Sequence, residues 1–192
     1  MRKCRLKDVA EVLISNVDKK SSPNEMDVRL CNYTDVYYNW AITSNYVPKL
    51  MIATATENEI EKYKLHKGDV ALTKDSETKY DIGQSTYIAD EIQDLLLGYH
   101  CALIRPKSNE LLGEYLNAIL HTKFATRYFE LNASGSGQRY TLSVDAINDF
   151  QLHLPSIDEQ RLISKILTNI DRKIENNNII NDNLANQSAM VA

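Results

Sequence analysis

Apolar residues come in short, β-rich runs up to about position 105 and settle into a three-to-four-residue spacing beyond position 110. The runs predict strands over 28–33, 36–40, 70–74 and 99–105, the last stopped by Pro106. Thr56-Glu57-Asn58-Glu59 is a capping-box pattern and predicts a short helix ending near Lys64, before a turn at 66–69. Leu111, Leu112, Tyr115, Leu116, Ile119 and Leu120 mark one face of a helix over 110–120, and a second helix is predicted over 123–131. The glycine-rich stretch 132–138 predicts a mobile turn, and Ser143 a cap for one helical turn through Ile147. Phe150, Leu152 and Leu154 alternate, which predicts a strand over 149–154 with His153 facing away from the core.

A long helix follows. Pro155 ends the strand, and Ser156 stands three residues before Glu159, a second capping box. Beyond it Ile163, Ile166, Ile170, Ile174, Asn177, Asn181 and Leu184 recur at helical spacing, with Leu167 and Ile180 widening the stripe. That is a coiled-coil seam carrying two Asn, which weaken a seam but set its register. The same stripe also suits a helix folded back on its own body. Residues 185–192 lose the pattern and read as a frayed end. The fold class is therefore α+β: a mixed α/β body over 1–154, then one coiled-coil-type helix over 156–186.

Composition narrows the function classes. The 192 residues suit one domain, or one domain with an appendage. Lys and Arg number 22 against 26 Asp and Glu, a net −4, which excludes nucleic-acid binding by bulk positive charge but permits a local basic face. Hydrophobic content of 43% and charged content of 25% are those of a globular protein. No apolar run nears the roughly 18 residues of a membrane span. The basic start is followed by Asp8 and Glu11, so no signal-peptide core is expected. Cys4, Cys31 and Cys101 are widely spaced and read as reduced thiols of a cytoplasmic protein. The 11 Tyr against 3 Phe and 1 Trp bias the aromatic set toward polar tips, which suits contact with a polar partner.

Catalytic and metal-binding patterns are absent from this reading. Gly135-Ser136-Gly137 follows a helix and lacks the spacing of a phosphate loop. His66, His100, His121 and His153 have no ligand spacing. Glu77-Thr78-Lys79 matches the E-x-K of metal-dependent nucleases, and Asp69 could serve as the further carboxylate, so a small nuclease is one alternative. A coiled-coil adaptor with no DNA role is another. The stretch 122–143 carries Lys123, Arg127 and Arg139 against Glu130 alone, with Tyr128 and Tyr140 interleaved. Lys123, Arg127, Gln138 and Arg139 are the candidate phosphate contacts. Lys74, Lys79, Tyr80, Gln84, Ser85 and Thr86, grouped about Gly83, are candidate base contacts.

The run from Ser134 to Ser143, the strand, Leu154-Pro155, Glu159-Gln160 and the Ile- and Asn-rich helix together resemble the specificity subunit of type I restriction–modification enzymes. Weaker matches are Leu6-Lys7-Asp8-Val9, Lys67-Gly68-Asp69-Val70 and the stretch from Leu96 to Pro106. The resemblance implies a non-catalytic protein that reads one half of a split site in double-stranded DNA. It implies a methylation subunit and a restriction subunit as partners, which would bring S-adenosylmethionine, ATP and Mg²⁺; none of these is expected in this chain. Such subunits usually hold two recognition domains and two antiparallel helices. One domain and one helix amount to half of that, so a homodimer through the helix is expected, with no membrane partner.

Overall fold

The structure is a computed structural model that describes residues 1–107 and 109–191, without the side chains of 175, 182 and 185–191. In chain order the elements are β1 (Arg2–Arg5), α1 (Leu6–Val9), β2 (Ala10–Ile14), β3 (Met26–Cys31), α2 (Tyr33–Tyr38), β4 (Ala41–Ile42), a 3-10 turn (Ser44–Lys49), β5 (Met51–Ala55) and α3 (Glu57–Tyr63). Then come β6 (Val70–Thr73), β7 (Asp75–Ser76), β8 (Ser85–Ile88), β9 (Leu95–Leu97), β10 (Cys101–Pro106), α4 (Gly113–Leu120) and α5 (Lys123–Asn132). The chain closes with β11 (Ser134–Ser136), β12 (Arg139–Thr141), α6 (Val144–Asn148), β13 (Gln151–Leu154) and α7 (Ile157–Val191).

A five-stranded sheet, in the order β2-β10-β6-β8-β4, is the centre of the body. Side chains alternate across it, and both faces are covered. Val70, Leu72, Ala102 and Ile104 point into a core shared with α1, α4, α5 and α6, where Leu116, Leu120, Phe129 and Phe150 are buried. Ala71, Cys101 and Leu103 point the other way, onto Cys31, Val36, Leu65 and Leu97. Strands covered on both faces read as continuous apolar runs, which is why β6 and β10 stand out in the sequence. A smaller sheet, β5-β3-β9, encloses its own core of Val28, Leu30, Ala53, Tyr63 and Leu96. β1 pairs with β13 across the whole body, Arg2 opposite Leu154.

Three expectations are corrected. Residues 36–40 do not form a strand: Asn32 and Asp35 make reciprocal capping bonds and open α2, and the backbone N of Asn32 donates to Asp35 at 2.7 Å. The stretch 132–138 is not a free turn, because β11 and β12 pair as a hairpin, and β12 adds to β7 with Thr141 opposite Asp75. Gly135 is needed there, since a Cβ would collide with the carbonyl oxygen of Arg139. The final helix does not end near 186 but runs to Val191; the side chains of the expected frayed end, and Ala192, lie outside the described residues.

The capping boxes form as read. Thr56 accepts from Glu59 N at 3.3 Å, and Ser156 N donates to Glu159 at 2.9 Å. Gln160 does more than sequence reasoning assigned to it. Fully buried, it accepts from Leu112 N at 3.0 Å and donates to the carbonyls of Glu110 and Pro155 at 2.9 and 3.2 Å. One amide thus locks the first turn of α7 to the entry of α4.

Candidate nucleic-acid interface

The hairpin β11–β12 stands out from the body, with every residue from Ser134 to Arg139 exposed. Its attachment to β7 brings Gln138 and Arg139 to the rim of a cleft of about 530 Å³. The cleft is also lined by α2, through Tyr33, Thr34, Tyr37 and Tyr38. Asp75, Glu77, Thr78 and Asp81 of β7 and the loop after it, with His100, line it as well.

Side-chain contacts tie the cleft lining together. Tyr33 stacks on Tyr37 with centroids 5.8 Å apart, and Tyr38 meets Tyr37 edge-on at 4.8 Å. The Tyr37 hydroxyl donates to Asp81 at 3.3 Å, and the Ser76 hydroxyl donates to the other Asp81 oxygen. Burial pushes the Tyr33 phenol up to about 12, assisted by the negative charge of Asp81 and opposed by a hydrogen bond with Ser76, so it stays a neutral hydroxyl. Asp75 is a junction: Lys74 donates to it at 2.7 Å, and His100 Nδ1 lies 2.6 Å from the same oxygen. Burial pushes the Asp75 carboxyl up, but hydrogen bonds from Lys74, Thr141 and His100 outweigh this and hold it below its ordinary range.

The sequence-derived candidates divide unevenly over this geometry. Gln138 and Arg139 reach the cleft. Lys79 and Tyr80 lie on the adjoining loop, with the Lys79 ammonium 5.4 Å from the Tyr80 ring centre and Tyr80 68% exposed. Lys123 and Arg127 lie elsewhere on the surface: Lys123 starts α5, and the hairpin follows its far end, about 15 Å away along ten residues at about 1.5 Å each. Arg127 pairs with Glu130 at 2.7 Å.

Four base-contact candidates are corrected. Thr86 is fully buried in β8, and Ser85, 2% exposed, donates its hydroxyl to the buried Asn117 at 2.8 Å. Lys74 is tied to Asp75, with its side chain only 15% exposed. Gln84 folds back, its amide donating to the carbonyl of Asp81 at 3.3 Å. Gly83 does not open the surface to a ligand: it has φ +83°, and a Cβ there would meet the Phe129 ring at 2.6 Å. Sequence reasoning missed Tyr33, Tyr37 and Tyr38. The signal was present in the N-x-x-D capping pattern of Asn32 and Asp35, which turns the tyrosines onto a helix.

The nuclease arrangement is not assembled. Arg105 holds Asp69 in a two-pronged pair, 3.0 Å from Nε and 2.7 Å from Nη2, and Asp69 also caps the turn by accepting from His66 N at 2.8 Å. Glu77 faces the tyrosine cleft, which Asp69 does not line. Among the described residues, no three His, Cys, Asp or Glu side chains are grouped so as to hold a metal ion. Among the same residues, no helix is long and apolar enough to cross a membrane. Cys31 and Cys101 are buried free thiols, and Cys4 is a half-buried one.

The helix α7 supplies a second surface. Ser164 and Gln160 are buried against the body, whereas Ile163, Ile166 and Ile170 are 40%, 57% and 52% exposed. Farther along, Ile174 and Ile179 line a groove of about 540 Å³ opposite Trp40 and Tyr46. The helix thus packs on its own body by one face and leaves the isoleucine stripe largely open.

Body and helix together match one family description, the type I restriction modification DNA specificity domain, over residues 1–186. The chain belongs to this family. The specificity subunit of the type I restriction enzyme HindI of Haemophilus influenzae is 29% identical over 124 residues, 64% of this chain and 26% of that protein. The putative type I restriction enzyme MjaX specificity subunit of Methanocaldococcus jannaschii is 22% identical over 170 residues, 88% of this chain and 39% of that protein. The chain therefore spans between a quarter and two fifths of the length of these curated relatives. A type I restriction–modification S subunit from M. genitalium superposes with a TM-score of 0.59 at 14% identity, over 91% of this chain and 40% of that one. At that identity the likeness shows the fold: a mixed α/β body followed by a long helix. The family match leaves the nuclease and the DNA-free adaptor without support.

Proposed function

We infer that this specificity-domain chain is a non-catalytic, sequence-specific binder of double-stranded DNA in a cytoplasmic type I restriction–modification system. The observation that carries the reading is the family match, which takes in the body and the long helix as one unit. The body reads one half of a bipartite site, and α7 sets the distance to the other half. A second copy of the chain, paired through the isoleucine stripe, supplies that other half. A methylation subunit and a restriction subunit dock on the dimer and bring S-adenosylmethionine, ATP and Mg²⁺. The reading assigns this chain only positioning, the role of phosphate and base contacts in any sequence-specific complex.

Selection of bound duplexes from a random pool, with the methylation subunit present, tests this. The expected result is enrichment of an inverted repeat split by unread bases. Failure to enrich any sequence would overturn the reading, as would Mg²⁺-dependent cutting by the purified chain that Glu77→Gln abolishes.

A further inference from the structure

We propose that the cleft between α2 and the hairpin sorts its contacts by charge, with Arg139 holding a DNA phosphate while Glu77 and Tyr38 read an amino-bearing base, adenine or cytosine. This rests on the DNA-binding function proposed above and names the residues of this chain that give it base preference.

Arg2, Arg5, Arg105, Arg127 and Arg161 are each committed to a carboxylate, and Arg29 donates to the Gln93 carbonyl. The Arg139 guanidinium has no ion-pair partner among the described residues, and it sits on a protruding ribbon beside Gly137, whose φ is +70° and around which space is open. A free guanidinium on an exposed β-ribbon is suited to a phosphate.

The β7 side of the cleft, which pairs with the hairpin strand that carries Arg139, has the opposite character. Glu77 is exposed and has no ion-pair partner among the described residues, and Asp81 adds a second negative charge close by. Carboxylates repel phosphate oxygens, so Glu77 and Asp81 are not themselves backbone contacts. They do accept hydrogen bonds from amino groups, and in the major groove those are the N4 of cytosine and the N6 of adenine. Asp81 is already engaged by Tyr37 and Ser76, which leaves Glu77 as the available acceptor. Tyr38, 77% exposed at the end of α2 and lining the same cleft, offers an amphipathic ring and a hydroxyl without a partner among the described residues. Its position is held from below, because Asp35 caps α2 and accepts from the Tyr46 hydroxyl at 2.9 Å.

The cleft also differs from the other large recesses. Two recesses of about 540 Å³ each are lined in part by α7, through Thr168, Asp171 and Arg172 in one and Ile174 and Asn178 in the other. The tyrosine cleft has no lining residue from α7, so helix pairing leaves it open to a duplex.

The test is duplex selection with the full chain and the methylation subunit, run on the parent, Glu77→Ala, Tyr38→Ala and Arg139→Ala. Glu77 and Tyr38 are exposed, and matching thermal melts confirm that the variants fold. Glu77→Ala and Tyr38→Ala are expected to reduce the preference for adenine or cytosine at one half-site position by about tenfold, close to 1.4 kcal/mol, with other positions kept. Arg139→Ala is expected to weaken all sequences alike. If the parent selects a half-site and both cleft variants select the same one with undiminished preference, the charge sorting is wrong while the DNA-binding function stands. If the parent selects nothing, both fall together.

Discussion

The Arg105 guanidinium closes on both carboxylate oxygens of Asp69, at 3.0 and 2.7 Å, across the antiparallel pair of β6 and β10. The bond makes Asp69 a structural residue, because a carboxylate 3% exposed must be paired to be retained. Arg105 also donates to the Lys64 carbonyl at 2.7 Å, so the pair ties the 66–69 turn to the sheet. Asp69→Ala removes both guanidinium bonds and the cap on His66 N. With Arg105 about one-third exposed, the expected cost is about 2–3 kcal/mol rather than the larger figure for a fully buried pair. Urea denaturation reads it directly. A loss below about 0.5 kcal/mol, the scale of an ordinary surface change, would refute the structural role.

Asp75 is expected to contribute to the acid limb of stability. Its carboxyl is held below its ordinary range because bonds from Lys74, Thr141 and His100 outweigh the upward push of burial. A group whose pKa is lower in the folded state stabilises the protein above its unfolded pKa, about 3.9 for Asp. That stabilisation is lost as the pH falls through the folded value. Asp75→Asn is expected to lower Tm at pH 7, and to flatten the fall in Tm between about pH 4 and pH 2 relative to the parent. Thermal melts across that range check the slope. An equally steep acid limb in the variant would place its origin in other carboxylates.

DNA affinity should respond to salt according to which cations meet phosphate. Each lost phosphate contact is expected to reduce the slope of log affinity against log salt by about 0.9 for duplex DNA. Arg139→Ala should show this reduction, and Lys123→Ala the same if the start of α5 also meets the backbone. Arg127 starts from a pair in which its guanidinium is exposed but the Glu130 carboxylate is largely buried, so exchange for a phosphate would strip that carboxylate of its partner. Binding titrations of each variant at several salt concentrations measure the slopes. Unchanged affinity and slope in both Arg127→Ala and Arg139→Ala would move the contact face elsewhere.

What could be read in the sequence depended on whether a local cause sufficed. The capping boxes at Thr56 and Ser156 and the alternation of Phe150, Leu152 and Leu154 each rest on neighbours in the chain, and all three form. Helix α2 was lost to β-propensity: Val36, Tyr37 and Tyr38 favour strands, and the local cap at Asn32 outweighs them. The tyrosine cleft was invisible for a different reason. Asp75 and Thr141 pair across 66 positions, and nothing local announces that the hairpin adds to β7. Ser85 and Thr86 misled because polarity suggests surface, whereas Ser85 satisfies Asn117 inside the core. The resemblance in 134–175 supplied the family, but it did not show where the side chains of 74–86 point.

Assembly is the last expectation, and it follows from what α7 leaves uncovered. Ile163, Ile166, Ile170 and Ile174 are between 40% and 57% exposed, along a helix that Gln160 fixes to the body. Fully burying one such side chain contributes about 1.5–3 kcal/mol, so covering four that are half-open is worth several kcal/mol in all. A second copy, antiparallel about a twofold axis, offers the same stripe in return. Asn177 and Asn181 then fix the register in the manner of polar residues in a coiled-coil seam. The seam from 157 to 184 is about 42 Å long at about 1.5 Å per residue, close to the roughly 34–36 Å of one turn of DNA. Two identical bodies held at that spacing would read an inverted repeat. Light scattering of the isolated chain should give a dimer, and Ile170→Asp should convert it to a folded monomer with an unchanged circular-dichroism spectrum of the body. A parent that is monomeric at tens of micromolar, or a dimer that Ile170→Asp leaves intact, would rule out pairing through this stripe. The isoleucines would then belong to a contact with another subunit or with the body itself.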